Sequence, residues 1–425
     1  MGFIISNAVK YTCIQCGVCC RKNWFIGLDD QSYARLVELD WSDKVPELAA
    51  KQLFQLLPKP LLTGEQYTFC KIKDTACVFL LPDNRCQIHA QFGFDAKAQV
   101  CKEFPFHFMD TPDGTVVGLS FACTAVQQHR GQPVDTQFDE IGRIYQSHYR
   151  KHHLKEPITL YSGIDISWSE YKIIESALLQ ILNDSAYPFE TGLIAGSILI
   201  NVCISMKEVE KMAKQENKPA KETMLGALNK LQFDRFKHIF DIAVKAKTAK
   251  KISRGGLAPF ISWMEFVSQK QSRFALLFNF YKNYLKYRSG RGNVSTHFTD
   301  GTQINLKELD KIEFDLTQPE LNKYLRRYFS HVIFRKNLIP AHGVFRGYYT
   351  LLAFYGMGKL IAKASAAKHR RTRVELDDLQ HAAATLDTEI VLHSQFSRLF
   401  TVSPYITLLV DRLYLQPQYP QIIIQ

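Results

Sequence analysis

The cysteines constrain this chain more than any other feature, because nine of the ten lie within the first 123 of its 425 residues. Four of them open the protein as Cys13-x2-Cys16-x2-Cys19-Cys20. Packing alone does not require this residue, since Leu or Val fills a core equally well. Several thiolates in one short segment are instead soft ligands suited to zinc, iron or an iron–sulfur cluster. The spacing therefore predicts a metal centre.

A disulfide framework is the main alternative for so many cysteines. Disulfides belong to oxidising compartments, and residues 1–6 lack the charged stretch and long apolar core that begin a secretory signal. The adjacent Cys19 and Cys20 would also be poor partners for two independent bridges. We therefore expect free thiols and a cytoplasmic location.

The later residues Cys70, Cys77, Cys86, Cys101 and Cys123 continue this cysteine-rich pattern. One tetrahedral zinc takes four ligands, and we expect the neighbouring side chains of Cys19 and Cys20 to point apart. The opening loop would then supply two or three ligands to a site that later cysteines complete.

Three further residues have no assigned role in this pattern, and a fourth lies apart from it. Cys70, His89 and His107 lie close to the candidate ligands in sequence, and each histidine suits either a metal ligand or an ordinary polar side chain. Cys203 stands alone in an apolar stretch and is expected to be a buried thiol.

The order of the cysteine motifs resembles one known family. YTCIQCGVCC at 11–20 is followed by CVFL at 77–80, NRCQIH at 84–89, CKEFPF at 101–106 and finally Cys123. This is similar to the zinc- or iron-chelating cysteine-cluster family that includes the flagellin lysine N-methylases, whose pattern runs CxxCGxCC, CxFL, CxIH, CxxFPF and a late cysteine. The resemblance implies metal binding by the eight cysteines that match the pattern: Cys13, Cys16, Cys19, Cys20, Cys77, Cys86, Cys101 and Cys123. Eight thiols suit one four-iron four-sulfur (4Fe-4S) cluster with a second metal, or two zinc ions, and the two-residue spacing favours the cluster. More loosely, the resemblance implies methyl transfer from S-adenosylmethionine to lysines of a flagellin-like protein substrate.

No catalytic residue can be assigned from the sequence. The CxxxCxxC motif of radical S-adenosylmethionine enzymes fails because Asn23 stands where its third cysteine would be. A Rossmann-type methyltransferase would show a Gly-rich turn after a strand, but Gly356 and Gly358 lie in a segment with helical periodicity, where close helix packing explains them. Enzyme activity therefore stays open, and a non-catalytic zinc- or iron-binding or redox-sensing module is the alternative.

Periodicity and turn residues predict an α+β protein. Residues 1–130 form a cysteine-cluster domain of short strands, residues 131–155 a linker, and residues 156–425 a mostly helical domain. We expect a helix after Asp29, a hairpin turn at 111–114, a strand at 85–88, a helix capped near Ser167 and a small strand pair around 296–314.

Charge and hydropathy limit the partners. The net charge of +12 attracts anionic molecules, but no nucleic-acid-binding motif accompanies it, so nucleic acid is not an expected partner. No window reaches the roughly 18 apolar residues of a membrane span. The most apolar stretch, 193–206, is expected to be a buried core helix, and no membrane association is expected.

Overall fold

The computed structural model describes residues 2–6, 9–22, 26–41, 53–57, 66–72, 76–147, 152–216, 254–269, 273–295 and 301–388, with residues 223, 224, 226, 238–243, 298, 408, 410–412, 414, 419 and 420. It contains 59% helix and 14% strand, which confirms the α+β class. Contacts divide the chain into two compact units, residues 1–152 and residues 153–425.

Short strands build the first unit. They are β1 Phe3–Ile5, β2 Lys10–Tyr11, β3 Gly27–Leu28, β4 Phe54–Leu56, β5 Tyr67–Phe69, β6 Lys71–Ile72, β7 Ala76–Cys77, β8 Phe106–Thr111, β9 Gly114–Leu119, β10 Gln132–Pro133 and β11 His152–His153. The largest sheet has the order β1-β9-β8-β11, and the second runs β3-β5-β4. The β8–β9 hairpin turns where predicted, because Thr111 pairs with Gly114.

Among the described residues of this unit, six short helices alternate with these strands: α1 Val18–Arg21, α2 Asp30–Val37, α3 Gln87–Phe92, α4 Gln99–Glu103, α5 Thr124–Gln127 and α6 Phe138–Gln146. The predicted helix after Asp29 is confirmed, since Asp29 Oδ1 accepts a hydrogen bond from Ser32 N at 2.8 Å and caps α2. The predicted strand at 85–88 is wrong. Cys86 ends a short bridge to Leu80 and caps the start of α3 instead.

An aromatic core supports this unit. Buried Phe54, Phe69 and Phe79 lie in one apolar cluster, and Trp41 donates an indole hydrogen bond to Leu36 O at 2.8 Å. Four candidate ligands belong to or pack against the same cluster: the buried Cys77 and the partly buried Cys20, Cys86 and Cys101. Half of the candidate ligands are therefore held by apolar packing before any metal is considered.

The second unit is mainly helical. Its strands are β12 Ile158–Tyr161 and β13 Ile164–Ile166, which form a hairpin. Its helices are α7 Trp168–Asn183, α8 Phe189–Gln215, α9 Ala258–Gln269, α10 Arg273–Ser289, α11 Leu306–Asp310, α12 Pro319–Phe334, α13 Ile339–Lys368 and α14 Leu376–Leu386. The cap predicted at Ser167 is confirmed as a capping box with Glu170.

Sequence reasoning missed the β12–β13 hairpin. Alternate residues Ile158, Leu160, Ile164 and Ile166 are buried, which is the period-two signature of strands, but the run is short and lies beside predicted helices. The strand pair predicted around 296–314 is also wrong for the described residues there. That stretch contains α11 and only isolated bridges, such as Asn293 with Asn305.

Helix α8 lies in the core of the second unit. By length and composition alone it could cross a membrane, but 67% of its most apolar window is buried inside the protein. Cys203 on this helix is fully buried, as expected. Burial of this apolar face agrees with the predicted core helix.

A buried ion pair joins two other helices of the second unit. Arg335 donates to both carboxylate oxygens of Asp387, at 2.8 and 3.0 Å, and both side chains are 0% exposed. Tyr328 donates a third hydrogen bond to Asp387 at 3.1 Å. Such a pair needs all its partners, because a lone buried charge is costly.

Candidate metal centre

A glycine sets the shape of the cysteine loop. Gly17 has a φ of 66°, in the left-handed region, and stands directly before α1. A Cβ at this position would lie 3.1 Å from the carbonyl oxygen of Asn84 and 2.9 Å from a methyl carbon of Leu80. The motif therefore requires glycine twice over, for backbone conformation and for close approach to the turn at 80–84.

Arg21 fastens the loop to the same turn. Its guanidinium donates to Cys16 O at 3.4 Å and to the side-chain oxygen of Asn84. Cys20 N also donates to Gly17 O at 3.1 Å, which closes the first turn of α1. The opening cysteines are thus held against the segment that carries Cys77 and Cys86.

Cys19 and Cys20 form a close thiol pair. Their sulfur atoms lie 3.9 Å apart, so the expectation that these neighbouring side chains point apart is wrong. The hydrogen bond from the Cys20 thiol lowers the pKa of Cys19 to about 7, while the same bond, burial and the Cys19 charge raise the pKa of Cys20. The pair thus gives up one proton readily and holds the other strongly.

Three later cysteines belong to or pack against the same apolar core as Cys20. Cys77 ends β7, Cys86 precedes α3 and Cys101 lies in α4. Burial raises the pKa of Cys101 most, and the charges of Cys77 and Cys86 raise it further. The charges of Cys77 and Cys101 also raise the pKa of Cys20. We call this set the inner thiols: Cys20, Cys77, Cys86 and Cys101.

The charges of a second set of thiols act on Tyr11, at the end of β2, or on Cys123. Cys123 caps the start of α5; burial raises its pKa to about 12, and the charges of Cys19 and Cys16 contribute in the same direction. Burial also raises the pKa of Tyr11, and the charges of Cys13, Cys123 and Cys19 add to that rise. We call this set the outer thiols: Cys13, Cys16, Cys19 and Cys123.

Cys19 connects the two sets. Its charge acts on Cys20 and Cys101 among the inner thiols and on Cys123 among the outer thiols. Cys19 is thus the thiol whose charge links the inner and outer sets.

Lys97 supplies positive charge beside these thiols. It follows a short 3₁₀ turn, and its ammonium lies 5.1 Å from the centre of the Phe94 ring. Its charge lowers the pKa values of Cys19 and Cys101, although burial outweighs this effect at Cys101. Sequence reasoning missed this residue, since a single lysine between two cysteine motifs carries no recognisable signal.

The three residues left open in the sequence have distinct surroundings. Cys70 packs on the apolar core, and its backbone oxygen accepts from Val78 N at 3.0 Å. His89 lies in α3, where burial and then the charge of Lys97 lower its pKa. His107 stacks on His152, with ring centres 5.3 Å apart. None of these contacts involves a candidate ligand, so the eight cysteines stay the predicted set.

The donor chemistry fits zinc or iron, but the sulfur atoms do not form a closed shell. All ten cysteines are described and all are free thiols. Among the residues that the structure describes, no three Cys, His, Asp or Glu side chains lie close enough to hold one ion. A tetrahedral ion with bonds of about 2.3 Å spaces its sulfurs by about 3.8 Å, which matches the Cys19–Cys20 separation of 3.9 Å. Side-chain movement would have to complete the shell.

Comparison with known proteins agrees with this donor chemistry. Residues 12–130 match the CxxCxxCC family model, whose members are proposed to chelate zinc or iron. An uncharacterized protein of the archaeon Methanocaldococcus jannaschii is 30% identical over 127 residues, which cover 29% of this chain and 40% of that protein. No solved structure matches. Residues 12–130 are therefore similar to a CxxCxxCC domain, which is described as zinc- or iron-chelating.

Proposed function

We propose that the inner and outer thiols bind metal together and that this centre organises residues 1–152. The observation that supports the proposal is the Cys19–Cys20 pair, whose sulfur atoms lie 3.9 Å apart. The charge of Cys19 also acts on Cys101 and Cys123, which come from two later segments of the chain. Because thiolates are the binding form, metal binding releases protons. Lys97 would help to hold the resulting negative charge.

The number of thiols favours two metal groups over one. Eight thiols exceed the four that a single zinc ion or a single 4Fe-4S cluster needs. We propose a 4Fe-4S cluster with a second metal, and two zinc ions are the alternative. A cytoplasmic location suits either, because thiols stay reduced there.

Elemental analysis and absorbance of protein purified without oxygen test this proposal. We expect bound iron with inorganic sulfide and a broad visible absorbance, or bound zinc in a colourless protein. Cys20→Ser should remove metal, whereas Cys203→Ser should keep it. Protein that contains neither metal, or that keeps its full content in the Cys20 variant, would contradict the proposal.

We propose methyl transfer from S-adenosylmethionine to lysines of a flagellin-like protein as a second candidate function. The resemblance of the cysteine motifs to flagellin lysine N-methylases supports it. The second unit also has an aromatic-lined cavity, and aromatic faces attract sulfonium and ammonium groups. It is lined by Phe314, Tyr324, Tyr328, Phe329, Tyr355 and Lys359, among others.

The ammonium group of Lys359 already lies beside this cavity. Lys359 lies 5.1 Å from the Phe314 ring centre and 3.3 Å from Glu190 Oε1, which also accepts a 2.6 Å hydrogen bond from Tyr355. The free space is about 10 Å³, enough for one water molecule. A larger cation would therefore have to displace Lys359 or Phe314.

Methyl transfer requires a neutral lysine amine aligned with the methyl group in a site that excludes water. Calorimetry with S-adenosylmethionine tests the cofactor, and Phe314→Ala tests the cavity. An assay on lysine-rich flagellin-like protein tests transfer. Absence of both cofactor binding and transfer by metal-loaded protein would leave the non-catalytic metal module as the function.

A further inference from the structure

One face of α10 exposes large apolar side chains. Phe278 is 70% exposed, Tyr281 62% and Leu285 45%. Their spacing of three and four residues places them in one line along the helix, as in the seam of a coiled coil. We call these three residues the α10 seam.

The opposite face of α10 is fixed inside the second unit. Asn283 and Tyr287 are 3% and 1% exposed. The amide of Asn283 donates to Ser262 Oγ at 3.0 Å and to Glu265 Oε2 at 2.8 Å, both on α9. The helix is thus anchored by its polar and aromatic inner face, and the α10 seam is its outer face.

Positive charge surrounds the α10 seam. Between residues 266 and 299 the sequence contains no Asp or Glu but six cations: Lys270, Arg273, Lys282, Lys286, Arg288 and Arg291. Lys282, Arg288 and Arg291 are exposed. None of these three has an ion-pair partner among the residues that the structure describes. The surface therefore combines an apolar line with uncompensated cations.

An apolar line flanked by cations favours some binding partners over others. A second copy of the chain would bring a like-charged surface against its own, which costs energy. The seam is a line on a convex helix, so an occupant that matches it must present a complementary apolar line with acidic flanks. An α-helix with apolar a and d positions and Glu at e and g positions has this form.

We propose that the α10 seam docks an acidic amphipathic helix of a partner protein. Phe278 and Tyr281 are the anchors, as aromatic side chains are in many interfaces. The flanking cations select the acidic partner and speed its approach. The proposal concerns the second unit and does not depend on the metal centre or on methyl transfer.

Two synthetic helical peptides test the proposal on the full chain. Both carry Leu at a and d positions; one has Glu and the other Lys at e and g positions. In fluorescence anisotropy at low salt, we expect the Glu peptide to bind at least tenfold more tightly than the Lys peptide. Tyr281→Ala should weaken binding of the Glu peptide about tenfold, whereas Met212→Ala, an exposed apolar residue of α8 that is 62% exposed, should not.

Charge reversal separates docking from misfolding. A Lys282→Glu, Arg288→Glu double variant should lose the Glu peptide and gain the Lys peptide. Equal binding of the two peptides by the natural protein would overturn the proposal, as would a double variant that still prefers the Glu peptide. Tighter, Tyr281-dependent binding to single-stranded oligonucleotide or to anionic phosphatidylglycerol vesicles would overturn it in favour of those ligands.

Discussion

Replacement of Gly17 by Ala should weaken metal binding although every cysteine remains. The left-handed φ of 66° costs a non-glycine residue about 1–2 kcal/mol. The added methyl also meets the backbone oxygen of Asn84 at 3.1 Å, while Arg21 Nη1 at 2.8 Å and Leu80 Cδ1 at 2.9 Å are ends of flexible side chains that move aside. Overpacking costs about 1–3 kcal/mol in a rigid core, so about 1 kcal/mol is expected here. If the metal holds the loop in this shape, the overpacking alone lowers affinity about fivefold.

Gly290→Ala is the control, because its φ of 64° is close to that of Gly17 and no atom lies within 4 Å of the added Cβ. It adds a methyl group at positive φ in the second unit, without the contacts at Gly17. Competition with a metal chelator should show lower affinity for Gly17→Ala and unchanged affinity for Gly290→Ala. Equal metal affinity of the two variants would refute the argument that this loop positions the thiols.

Three further outcomes follow from other residues. Cys86→Ser should lose metal and lower the melting temperature, because metal-binding energy is folding energy, while Cys203→Ser keeps its metal; elemental analysis checks both. Asp387→Asn should lower the free energy of unfolding by about 3–5 kcal/mol, since it leaves a buried guanidinium without its charge partner. Asp377→Asn, at a side chain that is 55% exposed, should lower it by about 1 kcal/mol or less. Denaturant titration measures both. In metal-free protein, Cys19 should be the first of the ten thiols to react with iodoacetamide, because its lowered pKa leaves it as thiolate. Mass spectrometry should show its alkylation rate reaching half of the maximum near pH 7, and a midpoint near pH 9 would contradict this.

Strong local signals in the sequence were enough to predict much of the fold. The cap at Ser167, the hairpin at 111–114 and the helix after Asp29 depend on neighbouring residues only. The predicted strand at 85–88 was wrong because a short apolar run has no clear period, and the bridge between Leu80 and Cys86 is a tertiary contact. Short elements therefore depended on packing that the sequence does not display.

The candidate metal centre also has features that residue type and spacing indicate and features that depend on the folded structure. The eight cysteines stay predicted ligands, and residue type and spacing did not predict that Cys19 and Cys20 form a 3.9 Å pair. That geometry depends on the left-handed Gly17 and on Arg21 reaching the turn at Asn84. The electrostatic role of Lys97 depends on burial and distance, which no motif encodes.

X-ray absorption at the metal edge of the purified native protein tests the central claim most directly, because it counts the atoms bound to the metal. We predict bound iron or zinc with only sulfur in the first shell, at about 2.3 Å. Inner thiols and outer thiols should both contribute, so serine variants of Cys101 and Cys123 should each reduce the metal content. Protein without metal, or metal held by nitrogen and oxygen alone, would contradict the account.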